Sequence, residues 1–320
     1  MSKAQTWGEI ILESDSPETI WSAIFTKLQV VAEKASLNEL HQHVRDADRL
    51  LAESAWDLWQ AYLGTAPRTS TALQTWWQQP APAGRAVLVL DALSLRELPA
   101  LLAGAAARHI EPTQVRITGA EVPSDTDQFA QALGVASRSK LGLNKTPGTF
   151  VFGKDTYSEV LGIPFADCLG SIPNAPDLFL WHTWLDDQIH QHHIPPKQIY
   201  KDAPETLQGD AFWSLVNKLR QGRRLLITAD HGYAESRQFT TEEDLEVTKA
   251  LREILGASRY RAANEPWSHQ FMPPVVLTTN NHHVAVGQRK WKVQGGFPDL
   301  CHGGMSLLEI AVPFIELPPL

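Results

Sequence analysis

Carboxylate and imidazole side chains stand next to each other in the segment Thr228-Ala229-Asp230-His231-Gly232. The apolar run at residues 225–227 predicts a buried strand just before them, and Gly232 permits a sharp exit from that strand. Ligands of α/β sheets bind at the carboxyl ends of strands, which is where Asp230 and His231 would lie. A carboxylate oxygen beside an imidazole nitrogen suits zinc or manganese. A turn aspartate beside a surface histidine would explain the same residues, so the choice between this interpretation and a metal site depends on the other candidate residues.

Further carboxylates follow predicted strands in the same way. Asp91 comes directly after one apolar run, and Asp186 follows another. Asp186 and His190 lie four residues apart, so one helical turn would place both on the same face and let them share a metal. The nearby His192 and His193 fall outside that register, and we interpret them as solvated.

Two short segments rich in turn-forming residues supply the remaining candidates. The segment Pro123-Ser124-Asp125-Thr126 stands between a loosely alternating strand pattern and an apolar helix. Ser124 offers a hydroxyl there, although a helix N-cap alone would explain a serine. His302 is followed by Gly303 and Gly304, which let the backbone pass close to a ligand. This pattern favours His302 as a metal ligand.

We expect the carboxyl edge of one sheet to bring these side chains together in two neighbouring groups. The groups are Asp91, Ser124, Asp230 and His231 in the first, and Asp186, His190 and His302 in the second. Two divalent ions would contact the attacking and leaving oxygens of a displacement at phosphorus. Zinc is the first candidate for both ions, and manganese is the alternative. They would also offset the repulsion among three carboxylates, which otherwise raise one another's pKa values. Roughly one positive charge then remains to favour a phosphate and a Ser124 alkoxide.

The elements that would position these groups change in character near residue 84. Three helices are predicted before it. The first begins with an N-cap and a first-turn proline at 16–18, and the second begins with a capping box at 36–39 and runs to about Leu63. The third is short and carries Trp76 and Trp77. The run Pro80-Ala81-Pro82-Ala83-Gly84 breaks this pattern. We therefore predict a small helical N-terminal domain over residues 1–82 and an α/β domain over residues 83–320.

Beyond residue 84, apolar runs alternate with helical patterns, as in a sheet covered on both faces. Strands are predicted at 86–90, 114–122, 178–181, 225–227 and 275–278, and helices at 96–107, 129–133, 204–220 and 242–255. Residues 142–170 carry few periodic signals and are predicted to form an excursion over the mouth of the sheet. Residues 283–293 favour a hairpin around Gly287.

Composition narrows the class of protein. The 320 residues are 43% hydrophobic and 20% charged, which is typical of a soluble globular chain with a substantial core. No run is long enough to span a bilayer, and the first residues lack the apolar core of a signal peptide. Cys168 and Cys301 are too few for a disulfide framework, so we expect a cytoplasmic protein. The net charge of −8 argues against extensive contact with duplex DNA, but not against a small anionic substrate held by metals.

Five short motifs occur in an order that resembles the alkaline phosphatase superfamily. They are Leu90-Asp91, Pro123-Ser124, Asp186-x3-His190, Ala229-Asp230-His231-Gly232 and His302-Gly303-Gly304. Within the superfamily, three segments look like a PglZ domain: residues 182–186, residues 122–126 and the stretch from His302 to Pro313. The resemblance covers Arg85 to the C-terminus and leaves the predicted N-terminal helices outside it.

The resemblance implies a three-layer α/β/α fold and metal-dependent hydrolysis of phosphodiesters in nucleotides or short single-stranded oligonucleotides. Ser124 would be both a metal ligand and the nucleophile, and would form a phosphoserine. The group of Asp186, His190 and His302 would serve the leaving oxygen and the water that releases phosphate. PglZ domains occur in bacterial anti-phage systems of the BREX type, which implies protein partners from a defence system. We expect no membrane partner, because no run is long enough to span a bilayer.

Several alternatives stay open. The family nucleophile is often threonine, so Thr126 is the second candidate, and Asp187 could replace Asp186 as a ligand. A catalytically weak scaffold subunit is a different class of protein, but every predicted ligand position carries a competent residue type. A phosphomonoesterase would use the same residues, whereas the sulfatase motif Cys/Ser-x-Pro-x-Arg is missing around Ser124. Residues 228–235 also resemble the cofactor-independent phosphoglycerate mutases, but this chain has no room for their large inserted domain.

Further expectations concern the surroundings of the site. Arg96, Arg138, Lys140 and Lys154 are candidates for contacts to phosphate oxygens, with a solvated surface charge as the alternative for each. Tryptophans at helical spacing favour packing over base stacking, so the N-terminal helices should dock on the catalytic domain or on a second protomer of a homo-oligomer. An acidic chain should prefer short single strands to long duplex. With Ser124 as nucleophile, Ser124→Ala should abolish turnover and Ser124→Thr should retain activity.

Overall fold

The helices divide into an N-terminal set and a set interleaved with the strands. The computed structural model describes residues 5–191, 194–263 and 275–320. The helices are α1 (Trp7–Glu13), α2 (Pro17–Lys34), α3 (Leu37–Ser54), α4 (Trp56–Thr65), α5 (Thr69–Trp77), α6 (Leu98–Ala106), α7 (Thr126–Ala132), α8 (Trp184–Ile189), α9 (Pro196–Gln208), α10 (Asp210–Leu219), α11 (Leu245–Leu255) and α12 (Leu307–Ile310). None of the helices in these ranges has both the length and the apolar character needed to cross a membrane.

The strands form one large sheet and several small ones. They are β1 (Arg85–Leu90), β2 (Gln114–Gly119), β3 (Tyr157–Leu161), β4 (Asp177–His182), β5 (Arg224–Thr228), β6 (Ala234–Glu235), β7 (Thr240–Thr241), β8 (Tyr260–Ala262), β9 (Val276–Thr279), β10 (His282–Ala285), β11 (Arg289–Lys290), β12 (Leu300–Cys301) and β13 (Ala311–Leu317). The large sheet has the order β2-β13-β5-β1-β4-β3, and β8, β10 and β9 form a separate antiparallel sheet.

Nearly all strands of the large sheet point in one direction. β1 pairs in parallel with β4 and β5, and β3 pairs in parallel with β4. β13 runs antiparallel to both of its neighbours, β2 and β5. The carboxyl ends of β1, β2, β4 and β5 therefore meet at one edge of the sheet, as the sequence predicts.

Helices cover both faces of this sheet. Ala86, Leu88 and Leu90 of β1 belong to one buried core, together with residues of α2, α6, α9 and α10. Val87 and Val89 point to the opposite face and join a second core with residues of α5 and α7. The alternation follows from the two-residue period of a strand. The protein therefore has the three-layer α/β/α architecture of the alkaline-phosphatase-like fold.

The N-terminal helices share the first of these cores. Trp21, Trp59 and Tyr62 are fully buried, and their rings lie 5.0–6.4 Å apart by centroid. The hydroxyl of Tyr62 donates to the backbone oxygen of Ala120, just beyond β2, at 2.9 Å. These tryptophans pack, as their spacing predicts. The domain boundary at residue 82 stays a prediction.

A chain that begins at Gly84 is expected to aggregate or to change its oligomeric state. Removing α1–α5 would uncover apolar surface on both faces of the sheet, because α2 and α4 cover one face and α5 the other. Circular dichroism and size-exclusion chromatography with light scattering would measure this, with a chain that begins at Gln5 as the control. A soluble, folded product with the oligomeric state of the control would contradict the prediction.

Four local predictions are wrong. The helix predicted over residues 204–220 is two helices, α9 and α10, because Gly209 leaves helical geometry (φ −71°, ψ 153°) between them. The helix predicted to reach Leu63 is two helices, because Ala55 leaves helical geometry (φ −142°, ψ 42°) between α3 and α4. The hairpin turn lies at Asn280 and Asn281, whose φ angles of 47° and 58° asparagine tolerates, and not at Gly287. The excursion at 142–170 contains the edge strand β3. His192 and His193 lie outside the described residues.

Candidate metal centre

The first group of candidate ligands forms where β1 and β5 end. Asp91 directly follows β1, and Asp230 and His231 follow β5. His231 Nε2 lies 3.3 Å from Asp230 Oδ2 and 3.7 Å from Asp91 Oδ1, and all three side chains are fully buried. One atom of each residue lies within 4.8 Å of the others, so a single ion could contact all three.

Neighbouring atoms fix the orientation of these side chains. Asp230 Oδ1 accepts a hydrogen bond from the backbone N–H of Ala92 (3.1 Å), and Asp91 Oδ2 accepts one from the Trp181 indole (3.0 Å). The Nδ1 of His231 lies 3.0 Å from the backbone oxygen of Gly232, which directs Nε2 into the group. Gly232 is required at its position, because a Cβ there would lie 2.4 Å from the Leu308 backbone oxygen.

The second group contains Asp186, His190 and His302. Asp186 lies in α8, and His190 follows at the end of the same helix. Asp186 Oδ1 is 3.3 Å from His190 Nε2 and 3.6 Å from His302 Nε2. This carboxylate oxygen is buried and has no hydrogen-bond partner among the residues that the structure describes. An unpartnered carboxylate oxygen facing two imidazole nitrogens fits a divalent ion such as zinc, which catalytic sites bind through three protein ligands.

The two groups adjoin. The rings of His231 and His302 are stacked, with centroids 4.2 Å apart and planes inclined by 16°. His190 Nε2 and His302 Nε2 are 3.1 Å apart on the other side. All six carboxylate and histidine ligands predicted from the sequence therefore lie in one continuous site at the carboxyl edge of the sheet.

Burial and mutual charge shift the pKa values of the site. Burial raises the pKa of Asp91 well above its usual value, and the charges of Asp230 and Asp186 raise it further. Burial likewise raises the pKa of Asp230 to about 6. Burial, with repulsion from His231, lowers the pKa of His302 to about 4. Burial favours a higher pKa for Asp186 too, but the neighbouring histidines outweigh burial and hold that pKa below its usual value.

The two candidate hydroxyls lie in different surroundings. Ser124 lies outside both groups: its hydroxyl donates to the backbone oxygen of Gly304 (2.7 Å) and accepts from the N–H of Gly303 (3.0 Å). The Thr126 hydroxyl donates to Asp230 Oδ2 (2.9 Å) and lies 3.4 Å from Asp91 Oδ1 and from His231 Nε2. Of the two hydroxyls named by the sequence, the geometry favours Thr126 as the one in the first group.

The other alternative ligand, Asp187, is exposed and accepts a hydrogen bond from the Thr183 hydroxyl (2.5 Å). It is not a member of either group. The geometry thus favours Asp186 over its neighbour as the ligand on α8.

The four basic residues predicted to contact phosphate oxygens differ in their distance from the site and in their exposure. Arg138 donates a short hydrogen bond to Asp91 Oδ2, and a quarter of its side chain is exposed. Arg96 is buried and donates to His41 Nε2 (2.8 Å) and to the backbone oxygen of Tyr233. Lys140 and Lys154 are exposed. Arg138 is therefore the candidate that lies at the site.

Two residues that support the turn of His302, Arg259 and Glu309, were not among the residues predicted from the sequence. The guanidinium of Arg259 forms a buried, two-contact ion pair with Glu309 (3.1 and 2.9 Å). Glu309 also accepts the N–H of Gly304 (2.9 Å), in the turn that carries His302. The spacing from Ser306 to Glu309 is that of a capping box and could have revealed the glutamate. Arg259 has no comparable local signal.

Comparison with known proteins agrees with this architecture. The family described as "BREX system PglZ alkaline phosphatase-like domain" matches residues 178–317, which contain Asp186, His190, Asp230, His231 and His302. No curated protein matches the chain.

Among solved structures, a phosphonoacetate hydrolase from Sinorhizobium meliloti 1021 in complex with phosphonoformate is 14% identical, with a TM-score of 0.41 over 74% of this chain and 90% of that one. Murine ectonucleotide pyrophosphatase/phosphodiesterase 5 is 13% identical, with a TM-score of 0.43 over 74% of this chain and 88% of that one. Both similarities are too distant to assign an activity. The family match therefore identifies residues 178–317 as a PglZ, alkaline phosphatase-like domain.

Proposed function

We propose that this protein is a metal-dependent phosphoric-ester hydrolase with Thr126 as its nucleophile. The observation that carries the proposal is the position of the Thr126 hydroxyl, 2.9 Å from Asp230 Oδ2 and 3.4 Å from both Asp91 Oδ1 and His231 Nε2. An alkoxide needs a cation close to it, and these three residues are of the types that hold one.

The donor set favours two divalent ions, with zinc ahead of manganese. Asp91, Asp230 and His231 would hold one ion, and Asp186, His190 and His302 the other. When bound, such ions would favour the alkoxide of the nucleophile and offset charge on the phosphoryl oxygens. The proposal replaces Ser124 by Thr126, because the Ser124 hydroxyl is already used by two backbone groups.

The reaction would proceed in two displacements. Thr126 Oγ1 attacks phosphorus as its hydroxyl proton is released, and the bond between phosphorus and the leaving oxygen breaks. The products are a phosphothreonine that keeps the second ester group of the diester and an alkoxide that takes up the released proton. A water molecule then attacks this phosphorus, the bond to the threonine oxygen breaks, and a proton of the water returns to that oxygen, so that a phosphomonoester is released. Arg138, which lies at Asp91 and is partly exposed, would donate to a phosphoryl oxygen in both steps.

The substrate class that we propose is a phosphodiester in a nucleotide or a short single-stranded oligonucleotide. A net charge of −8 supports a small substrate over long duplex, whose binding needs many cationic contacts. We further propose that the protein acts with protein partners of a bacterial defence system, because the matching family is described by its BREX context.

Measurements of bound metal and of phosphodiester hydrolysis on the same protein test this function. We expect elemental analysis of the purified protein to find about two divalent transition-metal ions per chain, and hydrolysis of an aryl phosphodiester to stop when they are chelated. Asp186→Asn should lower bound metal by about one ion, whereas its exposed neighbour serves as a control, because Asp187→Asn should keep both ions. A protein without transition metal that no added ion activates would refute the proposal. Faster hydrolysis of an aryl phosphomonoester would indicate a phosphomonoesterase.

A further inference from the structure

Ser124 is a buried link between two turns of the site. Its hydroxyl accepts the N–H of Gly303 (3.0 Å) and donates to the carbonyl of Gly304 (2.7 Å). These two glycines directly follow His302, and Ser124 lies two residues before Thr126. One fully buried side chain therefore ties the turn that carries the second group's histidine to the turn that carries the hydroxyl of the first group.

The backbone of Ser124 also acts on His302. Its carbonyl oxygen lies 3.3 Å from His302 Nδ1, and a carbonyl can only accept a hydrogen bond. The proton of His302 therefore belongs on Nδ1, which leaves the Nε2 lone pair directed towards Asp186 and His190. Metal-ligating histidines commonly donate their other ring N–H to a carbonyl in this way, which sets both tautomer and ring orientation.

The turn has little room to adopt another arrangement. Gly303 has a φ of 95°, and a Cβ at this position would lie 2.4 Å from the Tyr260 ring. A Cβ on Gly304 would lie 2.6 Å from the guanidinium of Arg259. The hydroxyl of Ser124 contacts the same turn, which therefore lies against the Tyr260 ring, the Arg259 guanidinium and this hydroxyl.

We propose that Ser124 is a positioning residue, which holds His302 so that its Nε2 can complete the second metal site. The inference rests on the proposed function, because it assumes that Asp186, His190 and His302 bind a divalent ion. It also accounts for a serine at this position without making it the nucleophile.

Zn²⁺ titration of the metal-free protein by calorimetry tests the proposal without any assay of activity. Ser124→Ala should weaken binding at the second group by about 10- to 100-fold and leave binding at the first group near that of the wild type. Nitrogen NMR of the imidazoles should show that His302 loses its single Nδ1-protonated form in this variant. Turnover lost in Ser124→Ala should return at high Zn²⁺ concentration, which an enzyme without its nucleophile could not show.

A glycine variant keeps the proposal testable even if Ser124→Ala does not fold. Gly303→Ala should displace the same turn and weaken the same Zn²⁺ site, because its Cβ would meet the Tyr260 ring. Gly295→Ala is the matched control: Gly295 has a similar φ of 83°, but a Cβ there would meet no atom within 4 Å in the described part of the chain. It should therefore carry the same backbone strain without the metal defect.

The outcomes separate this inference from the proposed function. Wild-type Zn²⁺ affinity in both Ser124→Ala and Gly303→Ala would overturn the positioning role and leave the function standing. A wild-type protein that binds no Zn²⁺ at the second group would overturn both. A phosphorylated residue other than Thr126 would overturn the proposed nucleophile, and phosphate on Ser124 itself would also overturn the positioning role.

Discussion

Thr126→Ala is expected to lower the turnover of an aryl phosphodiester by about 10³-fold or more, as the loss of a nucleophile does in other enzymes. The physical reason is that this hydroxyl is hydrogen-bonded to Asp230 and lies beside Asp91 within the first group. Fold and bound metal should survive, because the six carboxylate and histidine ligands stay in place. Steady-state kinetics would measure the effect, together with mass spectrometry of acid-quenched protein for a Thr126 phosphoryl group that still carries the second ester group of the diester.

Two variants make this test specific. Thr126→Ser keeps a hydroxyl and should retain activity and form a phosphoserine at residue 126. Ser124→Ala should still form the phosphothreonine, because the Ser124 hydroxyl contacts Gly303 and Gly304 and no candidate ligand. If Thr126→Ala stays active while Ser124→Ala is inactive at every zinc concentration, the nucleophile is Ser124, as the sequence analysis predicts.

Arg259→Ala is expected to lower the free energy of unfolding by about 3–5 kcal/mol, because it leaves a buried carboxylate without its cation. The side chains of Arg259 and Glu309 are 1% and 0% exposed. The guanidinium also donates to the backbone oxygens of Gly287 (2.7 Å) and Arg289 (2.8 Å), and both hydrogen bonds would be lost. Urea unfolding followed by tryptophan fluorescence would measure the change.

A surface ion pair of the same chemistry provides the comparison. Arg237 and Asp299 also make a two-contact pair (3.0 Å each), but their side chains are 68% and 47% exposed. Arg237→Ala should cost about 0–1 kcal/mol, because water screens exposed charges. Equal shifts of the unfolding midpoint in the two variants would contradict the assignment of a structural role to the buried pair.

The strand-end residues could be predicted because their signals are local. Strands β1, β4 and β5 are apolar runs, and Asp91, Asp186 and Asp230 follow them within a few residues. Parallel strands covered on both faces leave one functional edge, so residue type and strand order were enough to predict a common location. The order of motifs added His302, which lies far from the others in the sequence.

The choice between Ser124 and Thr126 could not be made in the same way. Both hydroxyls belong to one short turn, and the turn's orientation depends on contacts with Gly303 and Gly304, far along the chain. The partner of Glu309 could not be predicted for the same reason, since Arg259 directly precedes β8, a strand of a separate small sheet. Asn280 and Asn281 replaced the expected glycine turn because asparagine also tolerates a positive φ.

The reversed strand β13 has a consequence for the order of events during synthesis. It comes after every other strand in the sequence, yet it lies between β2 and β5 and pairs with both. Until it leaves the ribosome, those two earlier strands have an unfilled gap between them and exposed backbone groups along it. His302 is translated just before this strand. The sheet and the second group of candidate ligands are thus completed almost together, and a chain that ends before His302 would have neither.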